Sequence, residues 1–531
     1  NRVGVAAAVA VLLLVTLLVA GFMARLIEER RHVAQERDKA QYALAFLVDT
    51  FRNADPYQAR GERLTAQEIL DQGTKRVGRD LRGRPEVQAA VMQSLGEAHY
   101  GLGQYDKAEP LFQRSLELRR QLYGPESLEV AESVEQLGRI RFERSEREPG
   151  ERLLRQSLAL KRRLLGDRHL EVARSLNLLG SSLAQFDAGD DLMKLHTEAL
   201  EIARQREGSE GPVVAETLIL QGKLQRDLGD YAAAERLFRE GLDMERRILG
   251  EEAPEVYRHQ TVFGEILLDQ GKYIEAEKLL RETLQAQERI LGRNHPDFAG
   301  TANNLALALH NLGRDPEAEA LYREALDLFR TQYGPTHSMV GAVAGNLAGA
   351  IQSQEGGLLK AVPYYREALE VRRKNLGEEH PEVAGALLLL AGVHRELKEH
   401  DEAIRLARQA QDIVLKAEGA DHPHMAYPLR EIGRNYLAQK RFGEAEPYLR
   451  QSYEIRRREL PPENPELARS KAVLANCLKG LKRYEEAEKL ILEANATMIQ
   501  QFGPEDPRSK STGELLAEIR ELRGASRLAR R

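Results

Sequence analysis

Residues 293–334 read RNHPDFAGTANNLALALHNLGRDPEAEALYREALDLFRTQYG, and the chain runs through this pattern ten times. The closing glycine, Gly334, recurs at Gly124, Gly166, Gly208, Gly250, Gly292, Gly377, Gly419 and Gly503, with Pro461 in the remaining place; successive positions are 42 residues apart except for one interval of 43. A second series agrees. Leu305-Ala306 is matched by Leu95-Gly96, Leu137-Gly138, Leu179-Gly180, Gln221-Gly222, Phe263-Gly264, Leu347-Ala348, Leu390-Ala391, Ile432-Gly433 and Leu474-Ala475. Both series place the extra residue in one repeat, at Glu355-Gly356-Gly357. Two independent series with one period and a shared insertion define a repeat array rather than a string of unrelated domains.

Within each repeat a small residue follows the leucine marker, and a second comes early in the next helix, as in Tyr105 with Ala108-Glu109, Tyr231 with Ala234-Glu235 and Tyr484 with Ala487-Glu488. Four positions later stands a large residue such as Phe112, Phe238, Leu280, Tyr322 or Tyr365. Small residues let two antiparallel helices, A and B, approach closely, and large ones fill the space between hairpins. Glycine then closes helix B in a left-handed cap. Proline at Pro254, Pro296, Pro381 and Pro423 opens the next helix, where its missing N–H costs nothing. Glu148-Pro149-Gly150 and Gly189-Asp190-Asp191-Leu192-Met193 replace the early alanine in repeats two and three, and those hairpins are expected to be looser.

From Pro85 to Gly503 these residues resemble the tetratricopeptide repeat, and the 42-residue spacing resembles the kinesin light chain subtype. The resemblance implies an all-α fold, a right-handed α-α superhelix in which the A helices line a concave groove. Residues 85–503 form the array. Residues 25–84 are expected to supply a charged juxtamembrane helix and N-terminal capping helices, and residues 504–531 a capping helix with a basic tail whose arginines form a solvated face.

Val3 to Ala24 is 22 residues without a charge, roughly 33 Å as a helix at 1.5 Å per residue, enough for one crossing of a lipid bilayer by residues 3–24. Residues 1–24 are therefore expected to be a transmembrane helix. The flanking Arg25, Arg30 and Arg31, diluted by Glu28 and Glu29, lean towards cytoplasmic repeats. A different orientation follows from the elements after the span: Phe46-Leu-Val-Asp-Thr-Phe51, an Asp55-Pro56 loop and Leu64-Thr-Ala-Gln-Glu-Ile-Leu-Asp71 before the repeats. That order resembles the region following the catalytic domain of bacterial receptor-like serine/threonine protein kinases. It implies a kinase domain upstream of Asn1 and repeats outside the cytoplasm, at the plasma membrane.

Composition narrows the function. With 78 basic and 83 acidic residues and a formal net charge of -5, no one-sign block offers a nucleic-acid surface. The lone Cys477 cannot form an intrachain disulfide. No phosphate-binding loop, dinucleotide fingerprint, zinc-protease helix, nucleophile elbow or kinase motif occurs, so neither catalytic residues nor cofactors are expected. His169, His295, His337, His380 and His422 share one repeat-locked loop position, which points to loop hydrogen bonding; His422 and His424 lack a carboxylate cluster beyond Asp421, and no metal is expected.

A binding groove remains. Its residues are expected around the leucine marker: Asn177, Asn303, Asn304, His310, Asn346, Arg430 and Arg434. An asparagine amide both donates and accepts, so it can pair with the backbone of an extended peptide, and the kinesin light chain resemblance implies that use. The same asparagines can instead bond between adjacent helices, and Ile219, Val262, Leu388 and Leu389 interrupt the series. The partner is thus an extended peptide or protein, against the alternative of a spacer that forms a homodimer.

Overall fold

The computed structural model describes residues 66–528 apart from 187–188, together with 41–42, 44–46 and 48. The expected membrane segment, residues 3–24, lies outside the described residues, as does most of the charged stretch after it. Among the described residues no helix is long and apolar enough to cross a membrane, and every regular element is helical. The chain divides into two compact units, Asn1–Gly250 and Glu251–Arg531.

In the first unit, Ala66–Asp80 precedes four A/B hairpins: Pro85–Gly101 with Tyr105–Tyr123, Leu128–Glu143 with Arg147–Leu165, Leu170–Leu183 with Asp190–Glu207, and Pro212–Asp227 with Tyr231–Leu249. The leading helix covers the first repeat, burying Val77 against Val87 and Val91 and pairing Asp71 with Lys107 at 2.7 Å. The second unit holds Pro254–Asp269 with Tyr273–Ile290, Pro296–Asn311 with Asp315–Tyr333, Ser338–Gln352 with Leu358–Leu376, Pro381–Glu396 with His400–Ala417, Ala426–Ala438 with Phe442–Glu459, and Pro465–Gly480 with Tyr484–Phe502. Pro507–Leu528 packs on the last hairpin. Its exposed Arg520 and Arg527 pair with Glu488 and Glu485 at 3.0 and 2.9 Å.

Helix ends follow local chemistry. At the shared loop position, Nδ1 of His169, His295, His337, His380 and His422 accepts the backbone N–H two residues on, at 3.1 to 3.3 Å, satisfying a donor the helix start would otherwise leave unpaired. Asn464 does the same in the tenth repeat at 2.8 Å. At the other end Gly250, with φ of 89°, stands for the closing glycines in the left-handed region.

The small-against-large register is physical. An added Cβ at Gly96 would lie 2.6 Å from the Phe112 ring, and one at Gly264 would lie 2.5 Å from Leu280. Gly150 corrects the expectation of a loose second hairpin. It occupies the small position, and a Cβ there would meet the Phe142 ring at 2.7 Å, so glycine permits close packing where alanine serves elsewhere. In repeats five and nine the glutamate after the early alanine ties one hairpin to the next: Glu277 accepts Arg314 at 2.7 Å and Glu446 accepts Arg483 at 2.6 Å. Hydrogen bonds from Arg281 and Arg314 hold the Glu277 carboxyl below its ordinary range.

Gly241, in the B helix of repeat four, tests the close approach. A Cβ there would sit 2.9 Å from the Ala215 carbonyl oxygen and 3.1 Å from the Ile219 backbone nitrogen. Gly241→Ala should lower unfolding stability by about 1–3 kcal/mol despite alanine's helix propensity, whereas Gly392→Ala, with open space around it, should raise it by up to about 1 kcal/mol; urea unfolding of both variants checks the pair.

Candidate functional site

The A helices of successive repeats are joined by hydrogen bonds at a fixed register. Ser175 donates to Glu135 at 2.7 Å, Asn177 Nδ2 donates to Thr217 Oγ1 at 2.8 Å, and Thr261 pairs with Thr301 at 2.6 Å. Asn177 is wholly buried, and its Oδ1 accepts from His196 Nδ1 at 3.1 Å. Both ends of that amide are spent inside the protein, which corrects its assignment to a groove.

Asn303, Asn304 and Asn346 form a directional relay in the second unit. Asn346 donates to Asn303 at 3.1 Å, Asn303 to Asn304 at 3.0 Å, and Asn304 to Glu265 at 2.9 Å. Three repeats are tied together, with Asn303 and Asn346 half-buried at the surface. His310 is likewise engaged within the protein, its Nδ1 meeting Asp315 Oδ1 at 2.5 Å across the A–B turn. Arg141 with Glu146 at 3.0 Å and His394 with Glu399 at 2.5 Å clamp the same turn in their repeats, so His310 belongs to turn geometry rather than to a groove.

Space for a ligand opens at two equivalent places between A helices. One cavity of about 380 Å³ is lined by Arg258, Thr261, Asp297, Gly300, Tyr333 and His337 among others. The other, about 520 Å³, is lined by Gly385, Leu388, Leu389, Tyr427, Arg430 and Glu431 among others. Gly300 and Gly385 occupy the same repeat position, where Arg174, Arg258 and Arg469 stand in other repeats, and neither glycine has a neighbour within 4 Å of an added Cβ. The missing side chain makes the room. Leucines interrupting the asparagine series become the larger cleft's apolar floor, with Leu389 52% exposed and Tyr427 44% exposed.

Beside this floor the charge is positive. Arg395 and Arg434 share buried Glu431 at 2.8 and 3.5 Å, and Arg430 and Arg456 share Glu466 at 3.2 and 2.9 Å. Burial, reinforced by Arg395 and Arg430, pushes Arg434 below the ordinary guanidinium range. Burial would raise Glu466, but Arg430, Arg456 and Arg469 hold it below the usual carboxylate range. Arg430 Nε and Arg456 Nη2 are buried without a hydrogen-bond partner. The cleft joins an apolar wall to the Arg430 guanidinium, with Glu431 beside it. Of the residues expected in a groove, Arg430 lines this cleft and Arg434 reaches its edge through Glu431; in sequence the leucines read only as interruptions, and Gly385 gives no signal because what marks it is a missing side chain.

A family model described as tetratricopeptide repeat matches residues 88–149, 193–247, 256–330, 297–374, 340–415 and 382–458, together more than half of the chain. Among solved structures, the chain is similar to a Podosopora anserina protein described as a kinesin light chain with nearly identical TPR-like repeats, at 24% identity over 39% of this chain and 98% of that one, with a TM-score of 0.34. It is also similar to BtubC from P. vanneervenii, at 23% identity over 42% and 90% with a TM-score of 0.37. The quorum sensor NprR from B. thuringiensis gives 14% identity over 70% and 99%, with a TM-score of 0.46. No curated protein matches the chain.

His196 stands where Phe112 and Phe238 fill other repeats, and burial pushes its imidazole down to about 4. The fold holds the neutral ring, so its contribution is complete above about 6.5, the unfolded value, and is lost as pH falls towards 4. Stability of the first unit should drop by about 3 kcal/mol over that window. The double change Asn177→Ile with His196→Phe, which installs the Ile219 and Phe238 pair of repeat four, should flatten the profile; denaturant unfolding across pH measures both.

Proposed function

The chain belongs to the tetratricopeptide repeat family, and from that premise we propose that it is a non-catalytic scaffold whose second unit binds an extended peptide or protein segment through the cleft between repeats eight and nine. The supporting observation is the joining of exposed apolar side chains, Leu389 and Tyr427, to the Arg430 guanidinium in one cleft. An apolar anchor next to an Asp or Glu fits both features, since each charge-assisted bond is worth roughly 1.5–3 kcal/mol. The half-buried Asn303 and Asn346 give a neighbouring amide surface along which peptide backbone can run.

The proposal extends to the chain's setting. Residues 3–24 anchor it in a bacterial plasma membrane, and the elements from Phe46 to Asp71 join it to a serine/threonine kinase domain upstream, with the repeats as the outward sensing part. The uncharged run and the motif order support this reading.

Selection of random dodecapeptides on phage against the full chain tests the binding reading. Enriched peptides should pair an apolar residue with a nearby carboxylate, and Arg430→Glu with Arg434→Glu should weaken them by at least about tenfold. Enrichment without acidic residues, or an unchanged affinity in the double variant, would remove the assignment; a concentration-dependent dimer with no peptide uptake would favour the spacer role.

A further inference from the structure

The junction of repeats eight and nine departs from the rule of the array at two positions, and both departures meet one side chain. The residue before the cap glycine is Tyr123, Leu165, Leu249, Leu291, Tyr333, Leu376, Leu460 or Phe502 in eight repeats, but Glu207 and Glu418 in the other two. The residue two places after the capping position is Glu129, Glu171, Val213, Glu255, Asp297, Met339, Glu382, Glu466 or Arg508 elsewhere, but His424 here. Between them sits His422, the repeat-locked cap. Glu207 has no such company: its carboxylate accepts the Val213 N–H at 2.9 Å, with Gly211 at the capping position.

The geometry brings the three together. His422 Nδ1 lies 2.9 Å from Glu418 Oε2, and His424 Nδ1 lies 3.0 Å from Glu418 Oε1. All three ligand atoms fall within 4.8 Å of one another, while the donors around a tetrahedral zinc lie roughly 3.3 Å apart. The local backbone differs as well. Pro423–Met425 forms a 3-10 turn before Ala426–Ala438, whereas Pro296 and Pro381 begin α-helices directly. His422 Nδ1 already accepts the His424 N–H at 3.3 Å, and a ring nitrogen that accepts cannot also donate to the carboxylate.

We propose that Glu418, His422 and His424 form a binding site for a divalent transition-metal ion, with zinc the best match to two imidazoles and one carboxylate. His424 can give its Nδ1 proton to Glu418, but His422 has none to give; a cation would take a lone pair from all three, displacing the long 3.3 Å cap bond at His422 Nδ1. Glu418 is the member that spacing around the two histidines did not reveal, because it stands on the preceding side of the loop, four residues before His422. The Glu418 side chain is 17% exposed and His424 55%, which leaves the ion reachable and one coordination position open.

The test is built from the array's own substitutions. Leucine stands at the Glu418 position in five repeats, and Asn464 performs the His422 capping bond in repeat ten, so Glu418→Leu and His422→Asn should leave the fold intact. The full chain, stripped with chelator and titrated with Co2+ near neutral pH, should take up one equivalent with visible d–d absorption, and Zn2+ should displace it. Each variant should weaken uptake by at least about tenfold while melting like the metal-free wild type. Zn2+ should raise the melting temperature of the wild type alone. Absence of a stoichiometric Co2+ complex in the wild type, or equal uptake by Glu418→Leu, would overturn the site and leave the cluster as one His424–Glu418 hydrogen bond beside the His422 cap.

Discussion

Contact between a small residue in helix A and a large one sixteen positions later in helix B sets the geometry on which every other feature depends. Gly96 against Phe112, Gly138 against Leu154, Gly264 against Leu280 and Gly433 against Leu449 all leave no room for a Cβ. Burying each large side chain supplies roughly 1.5–3 kcal/mol, yet the greater consequence is positional. A fixed separation between A and B helices carries Glu277 and Glu446, each after an early alanine, to the next hairpin's arginine. It also brings residues about 40 apart in sequence within hydrogen-bond reach, as in Glu135 with Ser175 and Asn177 with Thr217.

With the frame repeated so strictly, departures from it are the informative places. His196 fills a large apolar position and is matched by a buried Asn177, a substitution that trades pure packing for a neutral hydrogen-bonded relay, with burial pushing the imidazole's pKa down. Gly300 and Gly385 open clefts where other repeats carry arginine. Glu418 and His424 replace residues of unlike chemistry around one histidine. None of these changes breaks the hairpin, because each sits at its edge or comes paired. A stack of near-identical units can thus vary its surface while its core register stays fixed.

The period, the helix ends and the capping histidines were legible in the sequence because each depends on local chemistry: a left-handed glycine, an N–H without a partner, a proline's fixed φ. The asparagines were harder. Their spacing placed them on A helices, but whether an amide faces a ligand or the next helix depends on the neighbour one repeat away, and Asn177 and Asn304 turned inward. His310 misled for a similar reason, since its partner Asp315 lies across a turn. The left-handed residues Ser145, Lys398, Lys440 and Lys482 in the A–B turns were also invisible, because non-glycine residues give no signal for a positive φ. Residues 3–24 fall outside the described residues, and their reading remains that of hydropathy.

Gly385 gives the most direct test of the account, which makes an open cleft on the A-helix face the place where this chain takes its partner. Arginine stands at the same position in three other repeats, so Gly385→Arg fills the cleft with a side chain the frame already tolerates. Calorimetric titration of the full chain with a phage-selected acidic peptide should show binding to the wild type and at least about a tenfold loss in Gly385→Arg, with unfolding unchanged. Equal affinity in the two proteins would contradict the account and place the partner elsewhere.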